Sequence, residues 1–294
     1  MWSYVSTPRF LTLPDGVCQT QVETSVGKFA ALEALPVSGI PERWPALLVP
    51  GLTGSKEDFI AIMQSLALSG RRIIAIDMRG QFETPGPDDP GAYTCAALGD
   101  DVDELAAVLG EGGPVHLVGH SFGGLVSREA VIDGRTKFAS FTLMDAGPAA
   151  IVGRRQETGR TIINELPLGV EHIWSSRLEA DAVAAGVPEE IVCFLRKRLM
   201  SNSVTGLTVM AEEVLTARDR TDELAEIAVP TLVIYGEGDD GWPPHIQADM
   251  AGRLNAECIV VPGAMHSPAV EAPETTAAAL TRFWNAAESR YRTL

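Results

Sequence analysis

Hydrophobic and polar positions change their period several times along the 294-residue chain. Before residue 50, three stretches alternate as β-strands do and are separated by turn sequences such as LPDG: residues 4–13, 17–24 and 28–35. Beyond them, short apolar runs such as ALLV and VHLVG are typical of strands buried on both faces, and they alternate with segments of helical spacing such as KEDFIAIMQSLALSG. This alternation predicts parallel βαβ units, and therefore an open sheet with helices on both faces.

The alternation stops between residues 148 and 228, where the pattern is mostly helical, and it resumes with VPTLVIYGEGDD. We therefore predict an α/β core from residues 1–147 and 229–294, interrupted by a helical insertion, residues 148–228. Because long insertions in α/β enzymes are usually lids or binding elements, we expect a cap over the carboxyl ends of the strands, with a purely structural subdomain as the alternative. Three bases in its segment FLRKRLM are expected on a solvated outer face.

Composition narrows the class of partner. The net charge of −16 argues against nucleic acid and anionic membranes, both of which need clustered positive charge. No apolar stretch approaches the ~20 residues of a membrane helix, and the N-terminus lacks the pattern of a signal peptide. The four cysteines lie far apart and form no CxxC pair, so we expect free, mostly buried thiols and a cytoplasmic protein.

The segment VHLVGHSFGGLVSREAV carries the clearest candidate chemistry. Ser121 lies between a predicted strand and a predicted helix, with Gly119 and Gly123 on either side. This is the G-x-S-x-G pattern of a nucleophile elbow, in which glycines permit a sharp turn that exposes the serine hydroxyl. Because ligands of such sheets bind at the carboxyl ends of the strands, Ser121 lies at the expected edge.

A serine nucleophile needs a base and an acid that orients the base. His266 is the predicted base because it follows the last strand, at the catalytic edge. Asp239, in the loop after the penultimate strand, is the predicted acid, with Asp240 and Asp145 as alternatives. Of the other histidines, His116 and His120 are expected to pack or to cap locally, and His245 to lie at the surface. His172 lies in the insertion, where no acid-bearing strand end precedes it.

Acyl transfer also needs donors for an oxyanion. We predict the backbone N–H groups of Phe122 and Leu52, because Gly51 lets the loop VPGLTGS turn towards the nucleophile. Side chains of the insertion and of the neighbouring loops are expected to form an apolar substrate pocket. The candidate pocket residues are Gly51, Ile163, Leu166, Trp174, Leu199, Met210, Trp242 and Met265.

With these residues placed, the chain resembles the α/β-hydrolase superfamily, and in particular small bacterial serine hydrolases and esterases with a helical cap. The matching segments are LLVPGLTGS, IAIDMRGQFET, LVGHSFGG, PTLVIYGEGDD and PGAMHSPAVEAPE. The resemblance implies a mostly parallel eight-stranded sheet, with the cap inserted after the sixth strand, and catalysis without a cofactor. Three details differ from many relatives: Pro50 precedes Gly51 where His is common, Met265 precedes His266 where Gly is common, and RGQFET replaces RGHGxS.

The sequence therefore predicts a serine hydrolase that cleaves a small or medium carboxylic ester, thioester or lactone, with a small molecule as substrate and no metal. Dehalogenases and epoxide hydrolases of this fold carry Asp at the nucleophile position, so Ser121 argues against both. A C–C bond hydrolase or perhydrolase that uses the same triad is one alternative. A non-catalytic ligand receptor on the same fold is another. The oligomeric state stays open.

Overall fold

The computed structural model describes residues 5–37 and 42–291. Eight strands form one sheet in the order β1-β2-β4-β3-β5-β6-β7-β8. Only the pairs β1/β2 and β2/β4 are antiparallel, and the other neighbours are parallel. The strands are β1 Val17–Thr24, β2 Gly27–Ala34, β3 Ala46–Val49, β4 Ile73–Ile76, β5 Val115–His120, β6 Phe138–Met144, β7 Thr231–Gly236 and β8 Glu257–Val261.

Helices cover both faces of this sheet. They are α1 Ile60–Ala67, α2 Cys95–Gly110, α3 Phe122–Asp133, α9 Thr221–Ala225, α10 Pro244–Arg253, α11 Pro268–Glu271 and α12 Pro273–Tyr291. Successive strand residues point to opposite faces, so Leu47 and Val49 pack with α2, α3 and α10, whereas Leu48 packs with α1 and α12. The short, wholly apolar strands follow from this two-sided burial. The predicted α/β fold is confirmed.

Every regular element described between β6 and α9 is helical. These elements are α4 Gly153–Glu165, α5 Val170–Ile173, α6 Glu179–Ala184, α7 Glu189–Met200 and α8 Val204–Thr216, with a π-helical turn at Trp174–Leu178. They have a hydrophobic cluster of their own, which includes Trp174, Leu195 and Leu199. The predicted helical insertion thus has a small separate core beside the two cores of the sheet.

The first predicted strand, residues 4–13, is wrong over residues 5–13, which contain no strand; Tyr4 lies outside the described residues. Val5 and Leu11 pack against the core of the insertion, and Leu13 packs against the sheet. Pro8 lacks the N–H that a strand ladder uses. The apolar positions of this segment therefore reflect contacts with separate parts of the molecule and not one face of a sheet.

Two expectations about burial also fail. Arg198 on α7 is buried, and its Nη1 donates to Asp58 Oδ1 at 2.8 Å, so FLRKRLM is not wholly a solvated face. The cysteines are free, but only Cys95 is buried, whereas Cys18, Cys193 and Cys258 are exposed. In the described part of the chain, no helix has both the length and the apolar character needed to cross a bilayer.

Candidate active site

Ser121 occupies the turn between β5 and α3 with φ 54° and ψ −122°, a conformation that non-glycine residues rarely adopt. The two flanking glycines are required by close backbone contacts. A Cβ on Gly119 would lie 2.4 Å from the carbonyl oxygen of Gly123, and a Cβ on Gly123 would lie 2.3 Å from that of Pro50. The glycines thus permit the tight turn, and strain of this kind is characteristic of functional sites.

The turn brings the serine hydroxyl to the histidine that follows β8. Ser121 Oγ and His266 Nε2 are 2.9 Å apart, and His266 Nδ1 and Asp239 Oδ1 are 2.7 Å apart. Both His266 and Asp239 are buried. The three residues follow β5, β7 and β8, whose carboxyl ends meet at one edge of the parallel sheet. The structure therefore brings together the three side chains that the sequence singled out.

Asp239 is held as a carboxylate by its hydrogen bonds. Besides His266, the backbone N–H of Gly241 donates to its Oδ1 at 2.8 Å, and Gln247 Nε2 donates to its Oδ2 at 2.7 Å. Burial by itself raises the pKa of Asp239, but the charge and hydrogen bond of His266 and the Gly241 N–H outweigh burial and leave that pKa below its usual range. Gln247 also donates to the carbonyl of Trp242 at 2.6 Å. This positioning residue on α10 was missed, because no local motif marks it.

The alternative acids make other contacts. Asp240 pairs with Arg155 Nε of α4. Asp145 Oδ1 accepts a hydrogen bond from the backbone N–H of Gly236 at 3.0 Å. Among the described residues, Asp145, Asp239 and His266 have the composition of a metal site, with ligand atoms within 4.8 Å of one another. However, both ring nitrogens of His266 are already engaged, with Asp239 and with the serine.

A second histidine supports the loop that carries His266. His120 Nε2 lies 2.7 Å from the carbonyl oxygen of His266, and since a carbonyl only accepts, Nε2 carries the proton. Burial, and then the charge of His266, lower the pKa of His120 to about 3. His120 is therefore a neutral donor that holds the backbone of the base. Of the others, His116 is buried and His245 is exposed, as expected, and His172 in the insertion is exposed as well.

The loop after β3 lies directly against the nucleophile. A Cβ on Gly51 would approach Ser121 Cβ to 3.1 Å. Gln81, which is fully buried, braces this loop from the other side: its Nε2 donates to the Gly51 carbonyl at 3.2 Å, and its Oε1 accepts from the Thr53 N–H at 2.6 Å. Sequence reasoning noted the unusual segment RGQFET but did not assign this role to its glutamine.

A cavity of about 150 Å³ opens beside Ser121 and His266. Its walls come from the loop after β3, from residues 5–6 and from the insertion, and they are mainly apolar. Arg155 and Thr158 of α4 add polar groups, and Arg155 was not anticipated from the sequence. Of the predicted pocket residues, Gly51, Leu166 and Leu199 contribute to the lining, together with Leu52.

The remaining predicted pocket residues do not line this cavity. Trp174 is buried in the core of the insertion, and Met210 belongs to a core cluster of the sheet. Trp242 is buried against the ring of His266, with its Nε1 donating to the Ala149 carbonyl at 2.8 Å. Met265 packs beside Gly238 instead, and Ile163 is only half-buried on α4, adjacent to the lining residue Ile162. Large apolar side chains were assigned to the cavity, but most of them serve the packing behind it.

Comparison with known sequences finds hydrolases of several kinds. Lipase 3 of Moraxella sp. (strain TA144) is 23% identical over 79% of this chain and 75% of its own length. A proline iminopeptidase of Lactobacillus delbrueckii subsp. lactis is 26% identical over 78% and 86%. The carbamate hydrolase RutD of Variovorax paradoxus (strain S110), so named on a provisional basis, is 34% identical, but the match spans only 37% of this chain and 41% of that protein.

Among solved structures, a thermophilic esterase from Thermogutta terrifontis superposes with a TM-score of 0.73 at 24% identity, covering 92% of this chain and 99% of its own. At that identity the likeness shows the fold. The sequence profile of the Alpha/beta hydrolase family matches residues 46–279, which include all strands from β3 to β8 and the three side chains around Ser121. The chain therefore belongs to the alpha/beta hydrolase family.

Proposed function

We propose that this protein is a serine hydrolase that cleaves a small or medium carboxylic ester, thioester or lactone through an acyl-enzyme. The observation that carries the proposal is the continuous chain of contacts from Ser121 Oγ through His266 to Asp239, at 2.9 and 2.7 Å. A serine hydroxyl is a weak nucleophile, and a base at this distance, itself oriented by a carboxylate, is what activates it.

In the proposed reaction, Ser121 Oγ attacks the carbonyl carbon while His266 Nε2 takes the hydroxyl proton. The imidazolium then gives that proton to the leaving oxygen or sulfur, the scissile bond breaks, and an acyl group stays on Ser121. Water then attacks the acyl carbon while His266 takes one of its protons. The bond to Ser121 Oγ breaks, His266 returns the proton to that oxygen, and the acid leaves. Asp239 holds the Nδ1–H tautomer and stabilises the imidazolium by its charge.

The oxyanion of each tetrahedral intermediate would be bound by the backbone N–H groups of Leu52 and Phe122. Phe122 is the first residue of α3, where unpaired N–H groups and the helix dipole favour negative charge. The Gln81 brace supports this role for the loop after β3, because a donor must be held in place before charge develops.

The cavity supports a substrate with a compact apolar part. An engineered apolar cavity of about 150 Å³ in another protein accommodates benzene, so this cavity suits a short-chain acyl or aromatic group. We propose that residues 148–228 act as a cap that sets this preference, since most of the apolar lining comes from them. A lipase among the relatives that match over most of their length agrees with an ester substrate.

The iminopeptidase relatives raise the alternative of amide cleavage after a charged N-terminal amine. Such a substrate calls for an unpaired carboxylate beside the nucleophile. Among the described residues that line the cavity, Asp58 is the acid, and it is paired with Arg198, while Arg155 in the same lining is paired with Asp240. The acid that this lining offers is thus already neutralised, which favours an ester over an amine-bearing substrate.

A fluorophosphonate probe tests the proposal directly. We expect the probe to label the wild-type protein and to fail on a folded Ser121→Ala variant, and p-nitrophenyl esters of graded chain length to be turned over fastest with short or aromatic acyl groups. Equal labelling of both proteins would show that Ser121 is not the nucleophile. Labelling without turnover of any ester or thioester would favour the alternative activities. Hydrolysis of a diketone would then indicate a C–C bond hydrolase, and activity in a peroxide assay would indicate a perhydrolase.

A further inference from the structure

Asp145 has no part in the proposed reaction, yet it lies beside Asp239 and His266. It follows β6, the strand between those that carry Ser121 and Asp239. Its side chain is fully buried, and its φ of +45° lies in the left-handed region, which is uncommon outside glycine but tolerated by Asp and Asn. A buried carboxyl group in a strained backbone conformation is costly, so its presence calls for a physical explanation.

The hydrogen bonds of Asp145 are incomplete. Its Oδ1 accepts from the Gly236 N–H, whereas its Oδ2 is buried without a partner among the described residues. One oxygen of Asp145, one oxygen of Asp239 and one nitrogen of His266 all lie within 4.8 Å of one another. The carboxyl group of Asp145 thus lies next to that of Asp239, and one of its oxygens has no donor to accept from, so a proton is expected on that oxygen.

Two adjacent buried carboxyl groups do not both ionise, so one of them keeps its proton. Asp239 accepts hydrogen bonds from His266, Gly241 and Gln247, whereas Asp145 accepts one. The charge therefore resides on Asp239. Burial, and then the charge of Asp239, raise the pKa of Asp145 well above its usual range.

Other charged and titratable groups surround this pair. Glu271 of α11 also raises the pKa of Asp145, and Arg155 of α4 lowers that of Asp239. His120 is neutral, because its pKa is about 3. Glu271 thus adds to the field that keeps Asp145 protonated, while Arg155 and His266 favour the charge on Asp239.

We infer that Asp145 is a positioning residue that stays protonated on Oδ2 and donates this proton in a hydrogen bond to Asp239. The inference rests on the proposed function only in so far as Asp239 orients His266. A neutral donor behind the carboxylate fixes its rotation and disperses its charge, which weakens its attraction for the imidazolium. Asp145 thereby orients Asp239 and, through it, the ring of His266.

The first test detects the protonated carboxyl group of Asp145 directly and needs no substrate. Infrared difference spectra between the wild type and Asp145→Asn, at neutral pH, should show the loss of a buried carboxylic-acid C=O band. Asn is isosteric, tolerates the left-handed conformation and can donate to Asp239, so this variant should fold. Loss of carboxylate bands without any carboxylic-acid band would overturn the inference.

The second test measures kcat/KM as a function of pH. The fall of kcat/KM at low pH, its acid limb, follows protonation of His266 in the free enzyme. Asp145→Ala removes the donor, so the limb should move up by about one pH unit, and Asp145→Asn should restore it. If Asp145 were instead a second carboxylate, Asp145→Ala would remove negative charge and move the limb down. A limb that stays in place while only stability falls would show a structural role and refute the inference.

The two proposals fail in distinguishable ways. If Ser121 is not labelled by the fluorophosphonate, the serine hydrolase is refuted, but the infrared band still reports on Asp145. If labelling succeeds and the band is absent, the proposed function stands and the role of Asp145 does not.

Discussion

The acid of the triad offers the sharpest test of the proposed mechanism, through Asp239→Asn. Besides the proposed Asp145 proton, the carboxylate accepts from three donors: Oδ1 faces His266 and Gly241, and Oδ2 faces Gln247. An Asn amide has one acceptor, so its NH2 group must face a donor at one of these places. If it faces Gln247, the NH2 groups of the two side chains oppose each other. A flip of the Gln247 amide would relieve this clash but would break its hydrogen bond to the Trp242 carbonyl. If it faces His266, it selects the tautomer that cannot accept the serine proton.

In both orientations the negative charge that stabilises the imidazolium is gone. Removal of the corresponding acid in a serine protease costs about 10⁴ in kcat. At 1.36 kcal/mol for each factor of ten, this loss corresponds to ~5.4 kcal/mol of transition-state stabilisation. KM should change little, because Asp239 does not contribute to the lining of the cavity. We therefore expect a fall of several orders of magnitude in kcat, measured as initial rates with a short-chain p-nitrophenyl ester.

Asp240→Asn is the matched control, since Asp240 is the next residue and pairs with Arg155 instead of His266. It should stay within about tenfold of the wild type, as should Asp145→Asn, in which the donor to Asp239 is retained. A mild Asp239→Asn together with a crippled Asp145→Asn would mean that the acid is Asp145, which follows β6. The reasoning from hydrogen-bond count would then be wrong.

Two further predictions concern the insertion. Ile162→Ala should shift the preference among ester chain lengths by at least tenfold towards larger acyl groups, because a methylene in an apolar pocket is worth roughly 1–3 kcal/mol. The control Ile163→Ala, one residue off the lining, should leave the preference unchanged. Equal effects of both variants, or a loss of folding without a change in preference, would indicate a purely structural insertion. Arg198→Met should lower the free energy of unfolding, measured in urea, by about 3–5 kcal/mol, because it leaves Asp58 buried without its partner. The control Lys197→Met, at the exposed neighbouring position, should change this free energy by less than about 0.5 kcal/mol. Similar values for both variants would show that the buried pair contributes little.

The sequence by itself determined the features that depend on local pattern. Apolar runs of four to seven residues and segments of helical spacing predicted the parallel sheet and its helices. The glycines around Ser121 predicted the turn, and the positions of Asp239 and His266 after late strands predicted their meeting. This last prediction needed no distances, because the carboxyl ends of parallel strands always lie at one edge of the sheet.

Only the tertiary structure decided which side chains face one another across long separations in sequence. From the sequence, Arg198 is predicted to be part of a solvated surface, whereas in the structure it contacts Asp58, 140 residues earlier. Trp174 is predicted to line the pocket, whereas in the structure it is buried in the separate core of the insertion. Gln247 belongs to no motif, Gln81 lies in the segment RGQFET, and Asp145 ends a predicted strand. None of these positions reveals the partner on another element that gives the residue its role. The periodicity of the sequence shows which residues share one face of a helix or strand. Which other segment covers that face is decided by packing between distant parts of the chain.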